Sequence, residues 1–274
     1  DWTGFIVLSI AVCCLQLILD RGERLDWFEN KTLVLLGLAL LLSIYFFVVH
    51  SIFHEKPFVN PRLFIDRNYS IGLFLVFVYG MLNVTPTVVL PNMLQSYAGY
   101  PDSDIGFILA MRSVGIFFGF FIVARFSKLD PRFGIVIGLF LIGLSGLISA
   151  TFDTNISVAF VSWMGVLQGA GCGLMWVPLS VVAFSTLDAK LMPDGTAFFH
   201  LVRNYGSSIF IALNVMVVLR TSKVNYSELS ELATPYSETF TRPVIDQNVN
   251  INDVSGLMGL ANEISIQAGM IGYL

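Results

Sequence analysis

Charge is what this chain has least of. Only 12% of its 274 residues are Asp, Glu, Lys or Arg, about half of the roughly 25% that soluble domains carry. That is too little to clothe a water-facing surface, so an ordinary soluble domain is excluded. Basic residues do not outnumber acidic ones, with 15 Lys and Arg against 19 Asp and Glu. Nucleic acid is therefore no expected partner, because such binding needs a basic footprint. Cysteine is scarce: Cys13, Cys14 and Cys172 lie in apolar stretches. They lack ligand spacing and read as small buried residues. His50, His54 and His200 are read as scattered, and no metal is expected. Neither H-E-x-x-H nor G-x-S-x-G occurs, so the clusters that an intramembrane enzyme would need are missing and a non-enzyme is expected. No signal-peptide pattern, low-complexity tract or tandem repeat is visible. The start at Asp1 without a Met, and the stop at Leu274 inside an apolar run, lead us to expect a piece of a longer protein.

Hydrophobic residues fill the place that charge leaves, at 55% of the chain. They come in runs near the ~20 residues that a spanning helix needs. The runs are Thr3 to Leu19, Thr32 to Phe53, Ser70 to Gln95, Asp104 to Phe126, Phe133 to Phe152, Ile156 to Leu187 and Thr196 to Leu219. An eighth, from Val254, is cut short by the end of the chain. The fold class is all-α, polytopic and membrane-embedded. In the third run Pro86 and Pro91 stand close together, which argues against a regular helix there. The carbonyls they free must find protein or water partners.

Short loops set the orientation. Lys56, Arg62 and Arg67 lie in loop 54–69, Arg125, Lys128 and Arg132 in loop 125–132, and Lys190 in loop 188–195. The alternating loops 96–103 and 153–155 have no basic residue, and in loop 20–31 four acids offset Arg21, Arg24 and Lys31. The basic set is therefore placed in the cytoplasm. The polar segment 220–253 is then an extracytoplasmic loop. The organisation reads as two helices in 1–53, a cytoplasmic loop 54–69, and a bundle 70–274.

Residues 165–214 are the most informative stretch. Gly165, Gly169 and Gly173 repeat at every fourth position, a stripe of small residues that lets two membrane helices touch closely. Pro178 is expected to kink or break that helix, and Pro91 the third one. Arg112 and Arg203 are lone charges inside apolar runs. A charge there is costly and normally faces a bundle interior or wet cavity. Snorkelling to the membrane surface is the rival reading for Arg203. Asn83, Gln95 and Asn204 are candidates for substrate contact or for interhelical hydrogen bonds; Gln168 reads as packing. Glu263 is the best local candidate for an intramembrane ionisable group whose pKa can move.

Several of these residues recur in a known order. Leu15-Gln16, Leu19-Asp-Arg-Gly22 and Asp26-Trp-Phe28 come first, then Pro61-Arg-Leu-Phe64 and Arg67-Asn68. Leu90-Pro91, Leu94-Gln95 and Gly99-Tyr100 follow, then Pro178-Leu-Ser180, Ala183-Phe184 and Thr186-Leu187. Gly195, Arg203-Asn204, Gly206-Ser-Ser208, Gln267-Ala268 and Tyr273 complete the set. In this pattern the chain resembles the major facilitator superfamily, and within it the fourteen-helix drug:proton antiporters of the EmrB/QacA type. Two departures stand out. The loop Ala124-Arg-Phe-Ser-Lys-Leu-Asp-Pro-Arg132 lacks the family's Gly and Asp-Arg pair, and Met111 stands where Pro often precedes the Arg.

The resemblance implies the two central helices plus a C-terminal six-helix bundle, half of a pseudo-symmetric alternating-access carrier. It implies proton-driven multidrug efflux of hydrophobic or cationic compounds, with the proton as coupling ion and no other cofactor, and the main proton-carrying acid is then expected in another part of the protein. It further implies a bacterial cytoplasmic (inner) membrane, and in a double-membrane cell a periplasmic adaptor and an outer-membrane channel. The alternative is a major facilitator symporter, or an exporter of one specific metabolite.

Overall fold

The computed structural model describes residues 1–22, 25, 27–54, 57–96, 99–125, 130–151, 157–232, 261–262 and 264–269. Among them are seven helices long and apolar enough to cross a membrane. They are α1 (Trp2–Arg21), α2 (Lys31–Phe53), α3 (Arg67–Ser96), α4 (Asp102–Arg125), α5 (Pro131–Ser149), α6 (Val158–Phe184) and α7 (Met192–Leu232). The described residues contain no strand. This is an all-α multi-pass membrane protein, the only economical way to satisfy so many backbone groups in lipid apart from a closed barrel. The eighth run is described only as short helical pieces at 261–262 and 264–269.

Polar caps set the helix starts. The Asn30 side chain accepts from the Thr32 N–H at 2.9 Å, Asp130 from Arg132 at 3.0 Å, and Ser157 from Phe160 at 3.3 Å. Each satisfies a donor that the first turn leaves free. Pro131 follows its cap at a first-turn position, where a missing N–H costs nothing.

Three expectations change. First, α3 runs unbroken through Pro86 and Pro91. Second, of the kink or break expected at Pro178 the break does not occur, because α6 continues to Phe184. Third, residues 220–232 are not loop: α7 extends to Leu232 over 41 residues, about 60 Å at 1.5 Å per residue. That exceeds a ~30 Å hydrocarbon core. Nothing between Arg220 and Leu232 is Gly or Pro, so the helix has no reason to stop when its side chains turn polar. The remainder of segment 220–253 lies outside the described residues.

Packing is centred on α6. It contacts α4, α5 and α3, while α3 also packs along α7 and α1 pairs with α2. One core layer joins Tyr69, Leu73, Val76 and Tyr79 of α3 to Met175, Leu179 and Ala183 of α6 and Phe199 of α7. A second joins Met93 and Leu94 to Ile105, Ile108, Val161 and Met164 near the opposite end of α6. The Tyr69 hydroxyl donates to the Gly195 carbonyl at 2.7 Å, pinning the starts of α3 and α7 together. Outward faces are greasy: Leu41, Tyr45 and Phe46 of α2, Phe117 and Phe121 of α4, and Phe140 of α5 are all exposed. Lipid is the solvent that makes such a surface stable.

Candidate functional site

The site grows from the contact between α4 and α6. A methyl added at Gly119 would lie 2.5 Å from the Ala170 carbonyl oxygen, and one at Gly169 would overlap the Arg112 carbonyl. Gly115 and Gly173 meet the opposite backbone in the same way, while Gly165 has ordinary contact distances to Arg112. The two backbones therefore touch with no side chain between them. On the other flank of α6, a methyl at Gly138 of α5 would lie 2.7 Å from the Gly171 oxygen. The seam fixes where the Arg112 side chain emerges, directly beside Gln168.

Arg112 does not reach for a membrane surface. Its Nε donates to the Gln168 Oε1 at 2.5 Å, and one Nη donates to both the carbonyl and the side-chain oxygen of Asn83 at 2.6 Å each. Gln168 in turn donates from Nε2 to the Leu82 carbonyl at 3.0 Å. Pro86 has no N–H, so the carbonyl four residues earlier, that of Leu82, loses its helical donor. Gln168 supplies the missing hydrogen, and Arg112 serves the adjacent Asn83 carbonyl. This explains why α3 stays helical through Pro86: the freed acceptor, expensive when left bare in a membrane interior, has a partner from a neighbouring helix.

The network extends inward. Asn83 Nδ2 donates to the Tyr79 hydroxyl at 3.2 Å. The Tyr79 ring lies against Trp176 with centroids 5.0 Å apart, and the Arg203 guanidinium sits 5.0 Å from the centroid of Trp176. Arg203 is half-buried against an aromatic face, an arrangement that stabilises a cation in the absence of an acid, rather than snorkelling. Among the described residues the one ion pair is His50 with Asp1, so neither Arg112 nor Arg203 has a carboxylate partner there.

A cavity of about 320 Å³ opens beside Arg112, within the range of small-molecule sites. Leu82, Leu90, Met93, Ile108, Met164 and Phe210 supply most of its greasy wall. Arg112, Gln168, Ser145, Ser149 and Asn214 are its polar points. It is an apolar pocket with one fixed positive charge and a few hydrogen-bonding groups.

The structure brings Arg112 and Asn83 together, and links Arg203 to them through Trp176 and Tyr79. It does not bring in Gln95, whose amide bonds Asp102 at 2.8 Å at the exposed junction of α3 and α4. Asn204 is exposed and accepts from Arg203 at 3.3 Å. Pro178 is buried at the α5 contact, near Gly134, and Pro91 lies apart from the pocket wall. Glu263 lies outside the described residues. Gln168, read from the sequence as packing, is the buried pivot of the network, and Tyr79 and Trp176 were not singled out. The available signals were a lone amide in an otherwise apolar helix and the spacing of Tyr79 four residues before Asn83, which puts both on one face. Two further readings need correction. Cys13 is exposed, unlike Cys14 and Cys172. His50 and His54 are not scattered: they stand four apart at the end of α2, which His54 caps, and cluster with Asp1.

No protein-family model matches the chain. It is 26% identical over 279 residues to the multidrug export protein EmrB of Haemophilus influenzae, covering 99% of this chain and 54% of that protein. It is 26% identical over 277 residues to the fatty acid resistance protein FarB of Neisseria gonorrhoeae, with coverage of 99% and 54%. With EmrB of Escherichia coli K12 the identity is 27% over 241 residues, or 86% of this chain and 47% of that protein. The chain thus spans about half the length of the relatives it matches. The EmrB-type resemblance read from the motifs holds along nearly the whole chain, and the relatives carrying it are named as exporters or resistance proteins.

Proposed function

We propose that this chain forms part of a proton-driven multidrug efflux transporter of the major facilitator type, working by alternating access in a bacterial cytoplasmic membrane. The observation that carries the reading is Arg112, a half-buried guanidinium with only neutral partners among the described residues, set in the wall of an apolar cavity and hydrogen-bonded to the Pro86 turn of α3. A charge in such surroundings is costly, and a purely structural helix contact has no need of it. The cavity takes a hydrophobic compound, and Arg112 biases it toward neutral or acidic lipophiles and away from cations. This refines the substrate class implied by motif resemblance, and the name of the fatty acid resistance relative supports it. The second reading, export of one narrow lipophilic acid, rests on the same charge and on the modest cavity volume.

The coupling proton is carried, in this reading, by an intramembrane acid in another part of the protein. A periplasmic adaptor and an outer-membrane channel complete the pathway in a double-membrane cell. The test uses the full-length protein in cells stripped of their own pumps. Loss of a fluorescent lipophilic acid and of a fluorescent lipophilic cation is followed with and without an uncoupler. We expect uncoupler-sensitive loss, faster for the acid than in empty-vector cells, falling to the vector rate in Arg112→Ala at equal membrane abundance. Wild-type export of neither dye above vector would overturn multidrug efflux. Preferred export of the cation would overturn the role given to Arg112.

A further inference from the structure

We propose that Asp1, His50 and His54 form a binding site for a divalent transition-metal ion of the zinc class, at the end of the bundle where α1 begins and α2 ends. This cluster is separate from the Arg112 cavity and plays no part in the export reading. His50 stands in the last turn of α2 and His54 is the residue that caps its end, four positions on, so the two side chains come together at that terminus. Their rings lie with centroids 4.7 Å apart and planes 21° apart. The α1–α2 contact brings Asp1 to the same point, with its Oδ1 2.9 Å from the Nε2 of His50. One ligand atom from each residue can be chosen so that all lie within 4.8 Å of one another. Small side-chain rotations would bring them around one ion.

The donor set fits that class of metal. Two imidazoles and a carboxylate suit zinc and its neighbours and leave a position for water. The carboxylate is also held as a ligand should be, by groups outside the site. Its Oδ1 accepts from the Gly4 N–H at 2.8 Å and its Oδ2 from the Phe58 N–H at 2.9 Å. The Asp1 side chain is only 3% exposed and that of His50 25%, whereas His54 is exposed and gives an ion access from water. A neighbouring cavity of about 600 Å³ has both Asp1 and Asp194 in its wall, which adds negative charge on the approach. The bound ion would tie α1, α2 and the Phe58 segment together, fastening the two-helix hairpin to the connection that leads into the bundle.

The test is a titration of the full chain, purified with a histidine-free tag and reconstituted in nanodiscs, with ZnCl2 and separately with CoCl2. We expect one ion per chain, a Tm that rises with Zn2+, and a visible Co2+ absorption band of low coordination number. Affinity should fall at least about tenfold in His54→Ala, which removes only an exposed ring and leaves the Asp1 hydrogen bonds in place. His54→Cys, which keeps a ligand, should restore it. Absence of a Tm shift and of a Co2+ band in the wild type would overturn the site. So would unchanged affinity in both His54→Ala and His50→Gln, which would place the ion elsewhere.

Discussion

Helices α2 and α6 are both long and apolar enough to span a membrane, yet they occupy opposite environments. Of the 23 residues of α2, Leu33 and Ser51 are buried. Along α6, buried residues run from Val161 to Ala183 and include Gln168 and Cys172. The difference lies in small residues. The one glycine of α2, Gly37, has open space where a side chain would go, whereas Gly169, Gly171 and Gly173 of α6 each meet the backbone of a neighbouring helix. Apolarity determines that a segment enters the membrane. Glycine spacing determines which segment the others gather around, because lipid gives no hydrophobic reason for helices to associate and close contact must do it instead.

The sharpest way to break this contrast is to put the same side chain in both helices. Gly169→Leu forces α4 and α6 apart and should destabilise the bundle by about 3 kcal/mol or more, at the upper end of overpacking effects. Gly37→Leu should leave stability unchanged. Thermal unfolding in detergent measures both, and equal Tm values for the two variants would remove glycine contact as the organising principle.

A finer probe exchanges shape for polarity on α6. Gln168→Leu strips the Leu82 carbonyl of its donor and frees one side of Arg112, a cost of about 1–3 kcal/mol for a buried group left unpaired. Pro86→Ala restores an N–H to that turn of α3. The loss caused by Gln168→Leu should therefore shrink when Pro86→Ala is already present. A double-mutant cycle with no coupling would show that Gln168 does not stand in for the proline's missing hydrogen.

The smallest effect concerns the exposed end of α6 rather than its buried middle. Asp66 accepts from the Tyr69 N–H at 2.9 Å and from the Thr186 hydroxyl at 2.8 Å. The Tyr69 bond first, and then the Thr186 bond, hold its carboxyl below the usual value of 3.8. Because the folded pKa is depressed, the stabilisation is fully present above the unfolded value and is lost as pH falls through the folded one. Asp66→Asn should flatten the stability profile below about pH 4 and leave it nearly unchanged at pH 7, since the group is exposed and screened. A wild-type acid limb identical to that of the variant would remove Asp66 from the account.

Much of the fold was legible in the residues. Seven apolar runs became seven helices. The site was legible only in part. Arg112 and Asn83 stood out as polar residues in apolar runs, but nothing in their spacing joins residue 83 to residue 112 or 168. The proline reading failed for the same reason. Helix propensity is a local property, and the donors that keep α3 helical come from two other helices. His50 and His54 stand four apart in the chain, but Asp1 reaches them only because α1 and α2 fold back on each other.

The sequence by itself determined the solvent, the number of spans among the described residues and the helix that would serve as hub, because hydrophobic run length and glycine spacing are properties of one segment at a time. Only the tertiary structure decided that Pro86 bends no helix out of existence, that Arg203 rests on Trp176, and that Arg112 faces a cavity. Each of those depends on a hydrogen bond or ring contact between residues far apart in the chain, and the close approach that makes the contact possible exists only once the helices have packed.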